Sequence, residues 1–425
     1  MRKKIALIMI LTVTVCLLSG CMMVSGAGLE SMFGTGESKE RPAVSDPSAS
    51  GNTVTISKDE YERYQSLQKF SELEELYYRV QQEFYQEPDT EQMLEYASRG
   101  LLAGLGDPYT FYYSPDEFEE LFKDDEGKYV GIGVMILSDV KNERCVISRV
   151  FKGSPAEEAG VLRGDVLYRV EDDLYVTPEN LSEAVNIMRG EPGTSVNVTF
   201  LRNGEEITFN IGRREVNVNQ VESTMLEDGI GYIALYEFAG EAEKEFEKAL
   251  KELSAKDAKG IIIDLRDNHG GWVVQAEYIA DLFLDSGELC YLVNRAGEED
   301  HETYRTEDGK TDVKLVILVN EMSASSSEIL TGALRDRGDA TVVGTLSFGK
   351  GIVQSLAYVG NKGAGYQITI AEYYTPGGNK VHGVGITPDV IVERPEDDAG
   401  NYDFADTVND VQLNKALEVM RDKLK

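Results

Sequence analysis

Two uninterrupted apolar runs constrain this chain more than any other feature: Gly260-Ile261-Ile262-Ile263-Asp264-Leu265 and Lys314-Leu315-Val316-Ile317-Leu318-Val319. A strand with one wet face alternates apolar and polar residues, whereas a continuous run suits a strand covered on both faces. Helical patterns at 241–253, 273–284 and 328–335 accompany these runs, so an α/β core with a buried sheet is expected over 214–395. Val411, Leu413, Ala416, Leu417 and Met420 share one side of a closing helix within 396–425. At 425 residues, with 42% apolar content, the chain is a multi-domain globular protein rather than a disordered one.

The segments before the core differ in texture. In 58–117, Leu67, Phe70, Leu73, Tyr77, Val80 and Phe84 recur at three- and four-residue steps. A second helix follows Pro88-Asp89-Thr90 and stops at Gly104. Such a pair reads as a packing or dimerisation element. In 118–213, short β-type runs (130–137, 145–151, 166–170, 195–202 and 206–211) alternate with glycine-rich turns. Gly131-Ile132-Gly133 sets backbone amides where they can turn toward an anion, although a lone Gly-x-Gly is often only a turn. Gly153-Ser154-Pro155-Ala156, Ala159-Gly160 and Gly164-Asp165-Val166-Leu167 follow it in order. Together these motifs resemble a PDZ domain of the bacterial protease type. The resemblance implies that Gly131, Ile132 and Gly133 receive the carboxylate of a peptide C-terminus and that the peptide adds as a strand.

At the N-terminus Arg2, Lys3 and Lys4 precede an apolar stretch at 5–18, shorter than the roughly 20 residues of a membrane span. Leu18-Ser19-Gly20-Cys21 then looks like a lipobox, the cleavage motif of bacterial lipoproteins. In that reading 1–20 is a signal peptide and Cys21 the lipidated first residue; an uncleaved signal anchor is the alternative. Both put the body outside the cytoplasm, tethered to the bacterial cell membrane. Residues 21–57 read as a flexible linker, spanning roughly 30–35 Å on average. Cys145 and Cys290 are permitted a disulfide there without requiring one.

Charge and composition exclude several classes. Against 42 Lys and Arg stand 75 Asp and Glu, a net charge of −33 that repels nucleic acid. Three histidines (His269, His301, His382) and four cysteines without a CxxC give little for a metal site. No metal and no cofactor are therefore expected.

Three segments of the α/β region carry residues suited to chemistry. Asp264-Leu265-Arg266-Asp267-Asn268-His269-Gly270-Gly271 ends a buried strand with two glycines, which free amides to face an anion. Ser323-Ala324-Ser325-Ser326-Ser327-Glu328 opens a helix, and Ser325-x-x-Glu328 fits a capping box. A serine at that place also suits a nucleophile, since the helix dipole favours a developing oxyanion. Phe348-Gly349-Lys350-Gly351-Ile352-Val353-Gln354 enters a strand on which Lys350, Ile352 and Gln354 share a face. Taken alone, each segment reads as a turn, a helix cap or a surface lysine.

In order along the chain, from Gly104-Leu105-Gly106-Asp107-Pro108-Tyr109-Thr110 to the last helix, these motifs resemble the carboxy-terminal processing peptidases, or tail-specific proteases. The resemblance implies a crotonase- and ClpP-like α/β spiral core carrying an inserted PDZ domain. It implies a serine endopeptidase with Ser325 as nucleophile, Lys350 as general base and Gln354 orienting the lysine. Backbone amides of Ser326 and of Gly270 or Gly271 would form the oxyanion hole, and Asp336 would play a supporting part. Position 269 departs from the family's usual Pro, and Ser326 from its usual Ala. His269 is not expected to build a Ser-His-Asp triad, because no matching acid motif accompanies it.

A lysine base must be neutral. A free lysine titrates near 10.4 and a useful base nearer 7–8, a shift of about 3 units that burial away from carboxylates supplies. An amide such as Gln354 holds an amine without adding charge. The expected partners are protein or peptide substrates with free apolar C-termini, and the resemblance suggests a homodimer through the N- and C-terminal helices. The competing readings are a catalytically silent PDZ-containing peptide-binding lipoprotein and an acyl-CoA enzyme on the same type of core. Discarding residues 1–20 would leave a body near −36, so the acid load is expected on outer faces and not around Lys350.

Overall fold

In the computed structural model, which describes residues 23–24, 55–125, 128–139, 142–307, 309, 311–338, 340–394 and 404–425, the two apolar runs pair in parallel at the centre of a six-stranded sheet. The strand order is Val221–Met225, Ile230–Leu235, Gly260–Asp264, Lys314–Val319, Thr341–Gly344 and Val390–Ile391. Only the first pair is antiparallel. Each central strand is buried along nearly its whole length, which is why the sequence shows no alternation there.

One face of this sheet is covered by the helices Ala242–Ser254, Val273–Asp281 and Ser326–Gly338. The other is covered by the terminal helix Val411–Lys423, whose Leu413, Ala416, Leu417 and Met420 join Ile262, Val316 and Leu318 in a second apolar cluster. The five residues singled out for this helix match that face, save Val411, which stays exposed. A second six-stranded sheet is built on the hairpin Ile352–Tyr358 and Gly365–Tyr374, to which Phe111–Tyr113 and Tyr291–Asn294 add. Met23–Val24 pairs in parallel with the outer side of Ile352–Tyr358, opposite Gln354 and Ser355.

The β-rich region closes into its own six-stranded antiparallel sheet, the short Leu174–Tyr175 included, with two short helices, Pro155–Ala159 and Leu181–Met188. Its core, from Ile132 and Ile147 to Phe200 and Ile211, shares no buried residue with the α/β cores. The run expected at 130–137 is broken. Lys128–Gly131 pairs with Arg214–Asn217, while Val134–Asp139 starts the sheet. The break falls at Gly133, which has φ of +92° and where a Cβ would lie 2.2 Å from Ser154 Cβ.

Upstream, the first helical pattern is interrupted. It forms Lys58–Leu67 and Ser71–Glu83, joined by a 3-10 turn, with Ser57 and Glu60 making a reciprocal capping box. Thr90–Ala103 follows, capped by Asp89. None of these helices buries a residue, and Tyr61, Leu67, Leu73, Leu76 and Leu101 are more than half exposed. Cys145 and Cys290 are free thiols in separate cores, so they do not pair. Residues 1–22, and with them Cys21, lie outside the described residues.

Candidate active site

The site forms where two loops leave the central strands side by side. After Gly260–Asp264, the loop to Gly271 turns through Asp267, Gly270 and Gly271, all at positive φ. After Lys314–Val319, the turn at Asn320–Ser325 leads into the helix Ser326–Gly338. Hydroxyls and amides sew the two together: Ser323 Oγ donates to the Leu265 carbonyl at 2.8 Å, Ser327 Oγ to the Asn268 carbonyl at 2.9 Å, and Ser326 Oγ to the Gly271 carbonyl at 2.8 Å. Ser326 thus uses the hydroxyl that Ala would lack to pin the diglycine turn.

Ser325 is fully buried at the first turn of that helix, with φ of +58°, a left-handed conformation that non-glycine residues seldom adopt. Only half of the expected capping box forms. Glu328 accepts from the Ser325 amide at 2.9 Å, but Ser325 Oγ has no hydrogen-bond partner. The hydroxyl is therefore released from capping. Gly270 is packed so tightly on this turn that a Cβ there would lie 2.7 Å from Ser325 Cβ.

Glu328 is the residue that sequence reasoning undervalued. Its carboxylate also accepts from the Lys350 amide at 2.9 Å, the Gly349 amide at 2.7 Å and Ser347 Oγ at 2.5 Å. One buried carboxylate thereby binds the backbone of the serine turn to that of the lysine loop. Burial pushes the Glu328 carboxyl up from its ordinary value, and these hydrogen bonds oppose the rise.

Lys350 is buried, its Nζ 4.7 Å from the centre of the Tyr109 ring. Gln354, also buried, donates Nε2 to Thr369 Oγ1 at 3.2 Å and leaves Oε1 without a partner. Contrary to the expectation from sequence, the lysine is not isolated from carboxylates. Asp107, from the Gly106-Asp107-Pro108-Tyr109-Thr110 turn, feels its charge. Burial raises the Asp107 carboxyl, but hydrogen bonding from Thr110, Thr369 and the Tyr109 amide, with the field of Lys350, brings it below the usual range.

The glycine amides divide. Gly270 N–H donates to Asn268 Oδ1 at 2.8 Å and is thus engaged. Among the described residues the amides of Gly271 and Ser326 donate to no protein acceptor, so of the two candidate glycines Gly271 fits an oxyanion donor. His269 is half-buried, and burial lowers its pKa. Its ring meets the Met322 backbone and not Ser325 Oγ. Asp336 stands apart from the site: it accepts from Thr375 Oγ1 and from the Gly377 amide at 2.9 Å, holding the turn after Gly365–Tyr374. That strand's buried Tyr373 donates its hydroxyl to the Ser325 carbonyl at 3.2 Å.

The Gly131-Ile132-Gly133 loop lies between two sheets, with Ile132 in the β-rich core and its carbonyl accepting from Ala156. Val134–Asp139 is an edge strand, and Val134 and Ile136 from it, with Leu181 and Val185 from the helix Leu181–Met188, pack partly buried against the β-rich core.

Comparison with known proteins agrees with this layout. The profile of Peptidase family S41 matches residues 229–392, that of the PDZ domain 129–212, and that of the activating protease CtpB N-terminal domain 23–116. A carboxy-terminal-processing protease of Bartonella bacilliformis is 32% identical over 86% of this chain and 91% of its own. A carboxyl-terminal-processing protease of Synechocystis sp. is 36% identical over 75% of each. The solved photosystem II D1 C-terminal processing protease superposes with a TM-score of 0.51 at 27% identity, covering 80% of this chain and 94% of that one. The chain belongs to the carboxy-terminal processing proteases, serine peptidases of family S41 that carry a PDZ domain.

Proposed function

We propose that this protease cleaves internal peptide bonds of exported proteins by a Ser325–Lys350 mechanism, selecting substrates by their C-terminal tails. The observation that carries the reading is the unbonded, buried hydroxyl of Ser325, whose backbone amide and that of Lys350 both donate to the same oxygen, Oε2, of the Glu328 carboxylate. Lys350 takes the Ser325 proton as Oγ adds to the scissile carbonyl. The oxyanion is received by the Ser326 and Gly271 amides at the positive end of the helix Ser326–Gly338. The lysine then protonates the departing amine, and water releases the acyl group by the same route. Ser325 Oγ and Lys350 are not hydrogen-bonded to one another in this structure, and the mechanism requires the lysine amine to come within hydrogen-bond reach of the hydroxyl.

Gln354 supports the base with an amide that adds no charge. The side of Ile352–Tyr358 turned away from Gly365–Tyr374 is able to take an extended segment, as its parallel pairing with Met23–Val24 indicates. The edge strand Val134–Asp139 supports tail binding by strand addition, with the carboxylate on the Gly131–Gly133 loop. The exposed apolar faces of the N-terminal helices support a homodimer, and the lipobox-like Leu18-Ser19-Gly20-Cys21 after its apolar stretch supports a body tethered outside the cell membrane by lipidated Cys21 or by a signal anchor.

The test compares the full chain with its Ser325→Ala and Lys350→Ala variants on an unfolded protein and on peptides with free or amidated C-termini. Loss of cleavage in both variants, and slower cleavage of amidated peptides, is expected. Normal turnover by either variant refutes the mechanism, and equal rates on both peptides refute tail selection.

A further inference from the structure

We infer that Asn268 is a positioning residue for the oxyanion hole: its side chain and its own carbonyl tie the diglycine turn to the serine turn, and so hold the Gly271 amide in place against the turn that carries the Ser326 amide. This rests on the Ser325–Lys350 reading. An oxyanion donor is effective when it is aimed before the charge develops. The loop that carries Gly271 has left the sheet and meets only an isolated bridge at Phe238, so no strand ladder aims it. Its buried backbone groups must be satisfied and fixed by other means.

Asn268 is fully buried, between Asp267 at φ of +60° and the two glycines. Its Nδ2 donates at 2.8 Å to the carbonyl of Leu235, the last residue of Ile230–Leu235. Its Oδ1 accepts from the Gly270 amide, also at 2.8 Å. One of these partners can only accept and the other can only donate, so the Asn268 amide has one way round. The Asn268 backbone carbonyl faces the nucleophile's turn. It accepts from the Ala324 amide at 3.0 Å and from Ser327 Oγ at 2.9 Å. Those two donors bracket Ser325 and Ser326 in the chain, so one residue joins the sheet, the diglycine turn and the serine turn.

The direction of the Gly271 amide follows. Gly270 N–H is taken by Asn268, and the Gly270 carbonyl accepts from the Phe238 amide at 2.8 Å. The peptide bond between the glycines is trans, so Gly271 N–H points opposite to the Gly270 carbonyl, and hence away from Phe238. A Cβ on Gly270 would lie 2.7 Å from Ser325 Cβ and 2.9 Å from the Ser326 nitrogen, so this turn is seated directly on the nucleophile's. Gly270 is buried. Without the Asn268 side chain its N–H would be left with no acceptor, a cost the turn relieves by rotating, which moves the Gly271 amide with it.

The experiment measures kcat and KM of the detergent-purified full chain on an internally quenched peptide with a free apolar C-terminus. It also measures inhibition by a peptide aldehyde and by the matching peptide alcohol. Ser325 Oγ adds to the aldehyde carbon, its proton passes to Lys350, and the carbonyl electron pair moves to the oxygen, which then needs the hole. The alcohol forms no such adduct. Asn268→Ala is expected to lower kcat about a hundredfold and to weaken the aldehyde by a similar factor, with KM and the alcohol's affinity within about twofold of wild type. Ser327→Ala takes one donor from the Asn268 carbonyl and keeps the buried side chain. It should show the same selective loss at about fivefold. Wild-type kcat and aldehyde affinity in folded Asn268→Ala overturn the inference, as does equal loss of alcohol and aldehyde binding, which marks a general collapse of the cleft. If Asn268→Ala does not fold, Ser327→Ala decides by the same two criteria. Turnover by Ser325→Ala or Lys350→Ala would instead overturn the underlying mechanism.

Discussion

At Ser325 the backbone is strained in order to aim a side chain. A residue with a Cβ at φ near +58° costs roughly 1–2 kcal/mol relative to glycine. Ser325→Ala and Ser325→Gly both remove the hydroxyl, but only glycine relieves the strain. Ser325→Gly is therefore expected to be about 1 kcal/mol more stable than Ser325→Ala in urea denaturation, with both inactive. Equal midpoints would mean that the turn is relaxed. Glu328 makes a second residue-scale case. Its carboxylate accepts four donors, whereas a glutamine side chain in its place would present one oxygen and an NH2 group facing amide N–H groups. Glu328→Gln should cost about 3 kcal/mol of stability and lower kcat more than tenfold, read by thermal melting and peptide hydrolysis. The pattern Ser325-x-x-Glu328 was legible from sequence, but its meaning was not. The same four residues describe a complete capping box or half of one, and only the folded lysine loop decides which.

At the scale of elements, the central strands were readable because burial on both faces leaves an uninterrupted apolar run. The site's supports were not, because their partners are far apart in sequence: Thr110 meets Thr369 across 259 positions, and Arg266 meets Asp410 across 144. Asp264-Leu265-Arg266 looked like the end of a strand. In the structure Arg266 bridges Asp264 at 2.6 Å and Asp410 at 2.7 Å, and Tyr232 donates its hydroxyl to Asp264. Asp410 also caps the terminal helix through the Gln412 and Leu413 amides. Asp410→Ala removes a cap and unpairs a buried charge at once. About 3–5 kcal/mol should be lost, with faster amide exchange along Val411–Lys423. Burial raises the Asp264 carboxyl, but Arg266 and Tyr232 outweigh it and hold the carboxyl below its ordinary value. Its stabilising contribution is thus complete above about pH 4 and is lost as pH falls through the lower folded value. Acid titration should therefore leave the helix docked at mildly acid pH and release it only below that range.

The whole molecule is two independently cored units on one chain. The PDZ core and the α/β cores have no buried residue in common, and the chain passes between them through the paired strands Lys128–Gly131 and Arg214–Asn217. The contact is pinned by Arg149 of the PDZ sheet. Its buried guanidinium lies 3.5 Å from the centre of the Tyr236 ring and bonds the Asn219 carbonyl and Glu222. A single cation–π and ion-pair contact of this kind is worth on the order of 1–3 kcal/mol, too little to make two cores unfold as one. The sole tryptophan, Trp272, follows Gly271 beside the candidate active site, so its fluorescence reports the protease core alone. Urea unfolding followed by circular dichroism should therefore show loss of structure that Trp272 fluorescence does not register at the same concentration. Ile147→Ala, in the PDZ core, should destabilise that unit by about 3 kcal/mol, moving the circular-dichroism transition and leaving the Trp272 transition in place. Arg149→Ala should separate the two transitions further by removing what couples them. Coincident transitions in the wild type that shift together in Ile147→Ala would mean one cooperative unit, and the PDZ domain could then not move relative to the core without unfolding it.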